Sequence, residues 1–328
     1  MIIVTGGAGF IGSNLVRGLN KLGEDNILIV DHLDTGEKWR NLINIKFLDF
    51  ETKDNFITKA EKDLFGKQVK AIFHLGACSS TTEKNADYLI QNNYEYSRRL
   101  ALLCKDKPGL RFIYASSAAT YGDGSQGYSD EPDPGPYLSP LNMYGYSKHL
   151  FDCWAHKTGF LERSVGLKYF NVFGPNEYHK GDMRSVAIRA YIQAKKTGVI
   201  RLFKSYRPDY LDGEQRRDFI YVKDAVKVTL FFLQRPEANG LFNVGTGHAN
   251  TFKKLATSVF SALEIPVHIE YIDMPPGLKK RYQYYTCAKT DKLRQAGYAE
   301  SFYPFEEAVK DYVLGYLEKE LDEEMMET

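Results

Sequence analysis

The sequence predicts an α/β protein in which a doubly wound parallel sheet is followed by a smaller C-terminal α/β lobe. Three observations support this fold class. Short apolar runs, such as MIIVT at the start of the chain, end at glycines or small polar residues, as buried parallel strands do. Segments with apolar residues at helical spacing alternate with these runs. The chain has 328 residues and is 43% apolar, so it can bury a large core.

The first half of the chain alternates strands and helices from its N-terminus. MIIVT is predicted as a strand, FIGSNLVRGLNKLG as a helix that ends at a glycine, and NILIVD as the next strand. Strands that run into loops follow at residues 71–80 and 111–122, with a helix at about 87–105 between them. YGYSKHLFDCWAHKTG is predicted as a helix that ends at Gly159, and SVGLKYFNVFGP as one further strand. This order indicates parallel pairing through right-handed crossovers.

The second half of the chain is less regular and richer in charged loops. RRDFIYVKDAVKVTLFFLQ is predicted as a strand or bend that leads into a helix, and GLFNVGTG as a strand and turn. Two further helices are predicted near 250–263 and 304–320. We therefore expect residues 1–171 to form the first domain, joined by a returning segment near 217–245, and residues 172–328 to form mainly the second lobe.

Charge and cysteine content disfavour several classes of function. Lys plus Arg total 43 and Asp plus Glu 42, so the net charge of +1 gives no reason to expect nucleic acid or a membrane surface as partner. No apolar run reaches the roughly 18 residues that span a bilayer. The four cysteines form no CxxC pair, and no metal-ligand spacing is present. We therefore expect a cytoplasmic protein with reduced thiols and no metal site.

A glycine-rich turn follows the first predicted strand. Gly6, Gly9 and Gly12 form a GxxGxxG pattern that opens the first helix. Glycines let backbone amides approach a pyrophosphate, and a helix N-terminus favours its negative charge. Asp31 ends the second strand about 20 residues further on, as the dinucleotide-binding pattern requires. The sequence therefore predicts a Rossmann domain that binds a dinucleotide.

The residues after this turn leave two dinucleotides open. Asp31 can bind the ribose 2′-hydroxyl of NAD. His32, Lys38 and Lys53 follow, and a lysine can neutralise the 2′-phosphate of NADP, unless both lysines are ordinary solvated residues. We expect NADP, with NAD as the alternative.

A tyrosine and a lysine predict acid–base chemistry. In YGYSK, Tyr144 and Lys148 are four residues apart and share one face of a helix. Ser116 and Ser117 stand at the end of a predicted parallel strand, the edge where sites of such sheets lie. A free tyrosine titrates near ~10, so we expect the Lys148 ammonium to lower the pKa of Tyr144. Either serine can hold a substrate oxygen while Tyr144 moves its proton, and Lys148 can also reach the nicotinamide ribose.

In this order the glycine turn, the serine-bearing strand and the YxxxK helix resemble the extended short-chain dehydrogenase/reductase family, the sugar-nucleotide epimerases and dehydratases. The resemblance covers nearly the whole chain, through TGGAGFIGSN, VDHL, IFHLGA, YASSAATYG, YGYSK, YFNVFGP, RDFIYVKD and FNVGTG. It implies an NAD(P)-dependent isomerase or oxidoreductase that acts on a nucleotide-sugar. It also implies a homo-oligomer, and it favours Ser116 over Ser117 as the serine that meets the substrate.

Further strings narrow the resemblance within this family. Dehydratases usually carry an Asp-Glu pair after the catalytic serine or threonine, whereas Ala118, Ala119 and Thr120 follow here, which favours epimerisation or simple redox chemistry. GACSSTTE, NNYEYS, FNVFGP with HKG, and LKKRYQ resemble the branch that epimerises C6 of ADP-D-glycero-D-manno-heptose for the lipopolysaccharide core. In that branch the lysine of HKG is a second base, which is Lys180 here. The alternatives are a UDP-hexose 4-epimerase, which has no need of Lys180, and an NADP-dependent keto-sugar reductase.

The resemblance also implies contact residues. For the cofactor these are Gly6, Gly9, Phe10, Ile11, Gly12, Asp31, His32, Lys38, Lys53, Leu75, Gly76, Ala77, Cys78, Ser79, Asn92, Lys148, Val172 and Lys180. For the substrate they are Ser116, Asn171, Asp182, Arg189, Phe203, Lys204, Ser205, Tyr206, Arg217 and Tyr282. Two departures from the family pattern are visible: Leu75 stands where a glutamate is common, and the segment 203–217 is longer than the usual loop. Arg217 suits a diphosphate, since a guanidinium matches phosphate oxygens, with an ion pair to Asp218 or Glu214 as the alternative.

Overall fold

A seven-stranded parallel sheet forms the centre of the protein. The computed structural model describes residues 1–63, 69–105, 107, 109–131, 137–279 and 282–320, which excludes Lys280 and Arg281 of the LKKRYQ string. In this part of the chain the strand order is β10-β6-β5-β4-β1-β2-β3, with every pair parallel. The strands of the whole described chain are β1 Ile2–Thr5, β2 Ile27–Asp31, β3 Asp49–Thr52, β4 Ala71–His74, β5 Arg111–Ser117, β6 Ser164–Tyr169, β7 Asn171–Phe173, β8 Ile200–Phe203, β9 Arg216–Tyr221, β10 Gly240–Val244, β11 Ala249–Thr251 and β12 Ile269–Ile272.

Helices connect the strands and cover both faces of this sheet. The α-helices are α1 Phe10–Lys21, α2 Lys53–Asp63, α3 Ala86–Leu89, α4 Tyr96–Cys104, α5 Met143–Lys157, α6 Val186–Thr197, α7 Val222–Phe231, α8 Phe252–Leu263, α9 Pro276–Lys279, α10 Asp291–Gln295, α11 Phe305–Tyr312 and α12 Glu318–Glu320. Short 3₁₀ segments lie at Glu37–Leu42, Ala118–Tyr121, Phe160–Arg163 and Tyr178–Met183, and π-helical turns at Ile90–Glu95 and Val313–Leu317. No helix among the described residues is both long and apolar enough to cross a membrane.

Strand alternation divides the core between the two sheet faces. Ile2 and Val4 of β1 belong to the apolar cluster that continues into the C-terminal lobe. Ile3, between them, belongs to the cluster on the opposite face. Each of these side chains is 1% exposed or less, which explains why strand β1 appears in the sequence as an unbroken apolar run.

The C-terminal lobe contains two smaller sheets in the described chain. Strand β9 lies between β7, to which it is parallel, and β11, to which it is antiparallel. Strands β8 and β12 form a parallel pair. The predicted α/β class, a doubly wound parallel sheet with a smaller C-terminal α/β region, is confirmed.

The assignment of elements differs from the sequence prediction in the segment SVGLKYFNVFGP and in the helices predicted near 87–105 and 304–320, the second of which is interrupted by the π-helical turn Val313–Leu317. SVGLKYFNVFGP, predicted as one strand, forms β6 and β7, because the chain leaves the large sheet at Phe170 and joins the small one. At this break the amide of Phe170 donates to the carbonyl of Val244, and the amide of Val172 to that of Phe170. The helix predicted at about 87–105 is interrupted by the π-helical turn Ile90–Glu95.

Candidate functional site

A cavity of about 1020 Å³ opens at the carboxyl ends of the central strands, where Thr5, Leu75 and Ser117 line its wall. This is the edge at which open parallel sheets bind ligands. The predicted cofactor positions all line this cavity, as do Ser116, Tyr144, Asn171 and Arg217. Asp182, Arg189, the segment 203–206 and Tyr282 are not part of its lining.

Steric crowding restricts two positions of the glycine turn, Gly6 and Gly12, to glycine. Gly6 has a φ of +71°, and a Cβ there would lie 2.6 Å from the amide nitrogen of Gly76. A Cβ at Gly12 would lie 2.0 Å from the carbonyl oxygen of Gly6. Gly9 is the N-cap of helix α1, so the first amides of this helix face the cavity. The turn therefore brings backbone amides and the positive end of a helix to the place where a pyrophosphate would be held.

Asp31 holds this turn in place with its carboxylate. Its Oδ2 accepts a hydrogen bond from the amide of Ala8 at 2.8 Å, and its Oδ1 accepts one from the amide of His32 at 2.7 Å. The Nζ of Lys38 lies 2.5 Å from the same Oδ1. Because Asp31 is only 6% exposed, protein donors already occupy most of its acceptor sites.

Lys53 contributes a second positive charge to the same wall of the cavity. Its Nζ donates to Oδ1 of Asn92 at 2.7 Å, and the amide nitrogen of Asn92 donates to Oδ1 of Asn93. Asn93 in turn bonds both backbone groups of Cys78. Lys53 is thereby linked through two asparagines to the loop that follows β4.

Tyr144 lies in the first turn of helix α5. Asn142 caps this helix by accepting a hydrogen bond from the amide of Gly145 at 2.8 Å. The side chain of Ser117 hydrogen-bonds to Tyr144, and burial nevertheless raises the pKa of Tyr144. The expectation that Lys148 lowers this pKa is wrong for this structure, because Lys148 directs its Nζ elsewhere.

The side chain of Lys148, on helix α5, is held by a hydrogen bond to strand β5. Its Nζ donates to the carbonyl oxygen of Ala115 at 2.8 Å, and the residue is 5% exposed. Burial lowers the pKa of Lys148 to about 8, while the carboxylate of Asp152 opposes this shift. Near neutral pH its ammonium is therefore easily deprotonated compared with that of an ordinary lysine.

The structure places Ser117, and not the favoured Ser116, beside Tyr144. Consecutive residues of a strand point to opposite faces, so only one of the two hydroxyls can face the tyrosine. The Oγ of Ser116 donates to Oδ2 of Asp152 at 2.6 Å, and the hydroxyl of Tyr114 donates to Oδ1 at 2.9 Å. The preference for Ser116 as the serine that meets the substrate stays a prediction, and this geometry favours Ser117 instead.

Asp152 and Lys168 form a buried ion pair behind the site that the sequence did not reveal. Lys168 Nζ lies 3.6 Å from Asp152 Oδ2 and donates to Oγ1 of Thr120 at 2.8 Å. Burial lowers the pKa of Lys168, and Asp152 opposes that shift. A signal for Asp152 was present, since it stands four residues after Lys148 and so on the same face of helix α5.

Lys180 faces the cavity from the 3₁₀ segment Tyr178–Met183. Its Nζ lies 5.5 Å from the centre of the Phe10 ring, at the start of helix α1. Burial lowers the pKa of Lys180, and the carboxylate of Glu177 opposes the shift. A lowered pKa makes the neutral, proton-accepting form of a lysine more accessible, and Lys180 lines the same cavity as Tyr144.

Arg217 is held between two aromatic rings. Its guanidinium carbon lies 5.4 Å from the centre of the Phe252 ring and 5.2 Å from that of Tyr282, and the residue is 8% exposed. Asp218 does not pair with it, since that carboxylate accepts hydrogen bonds from the amides of Thr246, Gly247 and Ala288. The other candidate partner, Glu214, pairs with a different residue, since its Oε1 lies 3.8 Å from Nζ of Lys253. The alternative of a structural ion pair for Arg217 is therefore wrong.

The other predicted substrate positions lie off the cavity. Arg189 donates to the backbone carbonyl of Asp182, and both residues are exposed. The Phe203 ring packs edge-on against Tyr282, which connects this layer to Arg217. The rest of the segment makes surface contacts: Lys204 pairs with Asp273 at 3.6 Å, the Ser205 amide donates to Asp212, and the Tyr206 hydroxyl donates to Asp273.

Comparison with known proteins supports the reading of this geometry. A sequence model of the family described as "NAD dependent epimerase/dehydratase family" matches residues 2–245. ADP-L-glycero-D-manno-heptose-6-epimerase of Nitratidesulfovibrio vulgaris (strain DP4) is 54% identical over 317 residues, which are 97% of this chain and 98% of the relative.

Two solved structures are similar along nearly their full length. The ADP-L-glycero-D-manno-heptose-6-epimerase of Helicobacter pylori has a TM-score of 0.79 at 27% identity, covering 95% of this chain and 94% of that one. The UDP-N-acetylglucosamine 4-epimerase of Methanobrevibacter ruminantium has a TM-score of 0.77 at 28% identity, covering 95% and 96%. The fold is thus shared by epimerases of different sugars, and identities of 27% and 28% to these two structures do not distinguish between them. The chain belongs to the NAD dependent epimerase/dehydratase family, in which its 54% identity over nearly full length places it beside the ADP-L-glycero-D-manno-heptose-6-epimerases.

Proposed function

We propose that this protein epimerises C6 of the heptose in ADP-D-glycero-D-manno-heptose to the L-glycero form, by transient oxidation and re-reduction. The observation that carries the proposal is the joint placement of Tyr144 and Lys180 on the cavity that the glycine turn also lines. The 54% identity to a relative of that name supports the choice of sugar.

The chemistry explains why two proton-transfer groups are needed. No carbonyl neighbours C6, so its hydrogen is not acidic and direct deprotonation is excluded. A dinucleotide held at the glycine turn would supply a nicotinamide that accepts the C6 hydride and later donates it back. The 6-ketone must present its other face in between, so the oxygen occupies a different place on return. Tyr144 serves one of these places and Lys180 the other.

The directions of the pKa shifts in the cavity suit this division. Burial raises the pKa of Tyr144, which favours its neutral phenol, and lowers the pKa of Lys180, which favours its neutral amine. Ser117 holds the substrate oxygen next to Tyr144, and Lys148 supports the ribose side of the cofactor. Arg217, pressed between two rings, is the partner proposed for the diphosphate.

We further propose that the cofactor is NADP. The carboxylate of Asp31 is occupied by Ala8, His32 and Lys38, which leaves it poorly placed to receive the 2′-hydroxyl of NAD. Lys38 and Lys53 line the same wall and supply positive charge for a 2′-phosphate.

The remaining parts of the proposal follow from the same family membership. The protein is proposed to work in the cytoplasm as a homo-oligomer and to supply heptose for the lipopolysaccharide core. The division into a cofactor-binding part, 1–171 with a segment near 217–245, and a mainly substrate-binding part, 172–328, is proposed with it.

Incubation of the purified protein with ADP-D-glycero-D-manno-heptose tests the function. The expected result is conversion to the L-glycero epimer, read by chromatography or NMR, with no net change in nicotinamide absorbance. The likeness to a UDP-N-acetylglucosamine 4-epimerase makes a UDP-hexose 4-epimerase the second candidate. Turnover of UDP-glucose without conversion of the heptose would establish that candidate, and a lasting absorbance change would point to a keto-sugar reductase instead.

A further inference from the structure

Lys180 lies in a connection between a strand and a helix that contains only the short 3₁₀ segment Tyr178–Met183, which is kinked at Gly181. This connection, residues 174–185, is called the Lys180 loop below; it joins β7 to α6. Asn176 and Gly181 have positive φ angles of 74° and 50°. A catalytic base must stay within a fraction of an ångström of its place, so other groups have to fix this loop.

Glu177 ties the two ends of the Lys180 loop together. Its Oε1 accepts hydrogen bonds from the amide of Gly174 at 3.2 Å and from the hydroxyl of Ser185 at 2.8 Å. Its Oε2 accepts one from the amide of Ser185 at 2.5 Å. Glu177 is 0% exposed, so these bonds are shielded from water. The carbonyl of Glu177 also accepts the amide of Lys180 itself, at 3.1 Å.

Two helices hold this loop through side-chain hydrogen bonds. The hydroxyl of Tyr312, a fully buried residue at the end of α11, donates to Oε1 of Glu177 at 3.0 Å. The side-chain amide of Asn176 donates to the hydroxyl of Ser13 on α1 at 2.9 Å. Helices α1 and α11 therefore both help to fix the position of the Lys180 loop beside the cavity.

We propose that Glu177 is the positioning residue for Lys180: its buried carboxylate clamps both ends of the Lys180 loop, docks the loop on Tyr312, and presents a negative charge to the ammonium form of Lys180. The proposal rests on the proposed function in so far as Lys180 is the second base. The clamp itself is a property of the fold and can be tested without turnover.

The carboxylate also bears on the proton affinity of Lys180. Burial lowers the pKa of Lys180, and Glu177 is the charge that opposes this shift. Burial raises the pKa of Glu177, against the donors of Ser185 and Gly174. The groups that face this pair come from four elements: His179 and Arg184 from the loop itself, the Phe10 ring from α1, Lys38 from the segment Glu37–Leu42 near His179, and Tyr312 from α11.

Glu177→Gln tests the proposal with an isosteric, neutral side chain. We expect kcat to fall about 10²-fold, because the base is displaced, with KM and cofactor affinity close to wild type. Loss of the negative charge should also lower the proton affinity of Lys180. Acetic anhydride labelling of Lys180 across a pH series, read by mass spectrometry, should therefore show its midpoint at lower pH in the variant.

The matched control is Glu318→Gln. Glu318 also accepts a tyrosine hydroxyl, that of Tyr191 at 2.7 Å, and it pairs with Lys195, so it tethers α12 to α6 without touching the Lys180 loop. Its variant should keep wild-type kcat and the wild-type labelling profile of Lys180. If Glu177→Gln and Glu318→Gln behave alike, Glu177 has only a general structural role and the proposal is overturned.

Tyr312→Phe keeps the proposal testable if Glu177→Gln does not fold. This change removes one hydrogen bond from the clamp and should lower kcat about fivefold with KM unchanged. Wild-type kcat in this variant would then overturn the clamp. If the wild-type protein itself does not convert the heptose, the proposed function fails, and the labelling profile of Lys180 still decides whether Glu177 acts on it.

Discussion

Replacing Lys180 with methionine separates catalysis from binding and folding. Methionine has a similar length, so it can keep the contact with the Phe10 ring, to which Lys180 Nζ now lies at 5.5 Å. Removing a positioned base costs about 10²–10⁴-fold in rate, or roughly 3–5 kcal/mol in the activation barrier. Because burial already disfavours the ammonium of Lys180, loss of its charge should not destabilise the fold.

The assay follows conversion of ADP-D-glycero-D-manno-heptose, with cofactor affinity and the melting temperature measured on the same preparation. The expected result is near-complete loss of epimerisation with NADP still bound and a melting temperature close to wild type. Lys21→Met is the control, because Lys21 is exposed at the far end of helix α1. Near-normal turnover in Lys180→Met would refute the second-base role and make Lys180 an ordinary loop lysine.

Three further predictions concern the serines, the glycine turn and the cofactor. Ser117→Ala should lower kcat about 10²-fold, whereas Ser116→Ala should mainly lower the free energy of unfolding, by about 1–3 kcal/mol, since it deprives a buried carboxylate of a donor; equal kcat losses would contradict this assignment. Gly12→Ala should abolish dinucleotide binding in a fluorescence titration, because its Cβ would lie 2.0 Å from a backbone oxygen, while Gly277→Ala, whose added Cβ would extend into open space, should bind normally. Lys53→Ala should weaken NADP about tenfold and leave NAD unchanged in competition binding; equal losses would argue against the 2′-phosphate role.

Local patterns in the sequence were sufficient for the fold class and for part of the site. Strand periodicity and the order of strands and helices predict the parallel sheet, because both depend on neighbouring residues along the chain. The glycine turn is predictable for the same reason, since the conformation of Gly6 and the crowding at Gly12 arise within one short segment. The face shared by Tyr144 and Lys148 follows from helical spacing alone.

Contacts between segments far apart in the sequence determined the remaining features of the candidate site. Which of Ser116 and Ser117 faces Tyr144 depends on how strand β5 and helix α5 are oriented to each other, and in this structure it is Ser117. The pKa of Tyr144 also departed from expectation, because burial is set by the packed interior and Lys148 found a partner on β5.

The sequence by itself determined that a dinucleotide site and a tyrosine–lysine pair exist, because each is encoded within a few residues. Only the tertiary structure decided how Lys180 is held, since Glu177 draws its donors from both ends of a loop and from a helix 135 positions away in the chain. A buried carboxylate is stable only where the fold collects such donors around it, and that collection is a property of the packed molecule rather than of any local pattern.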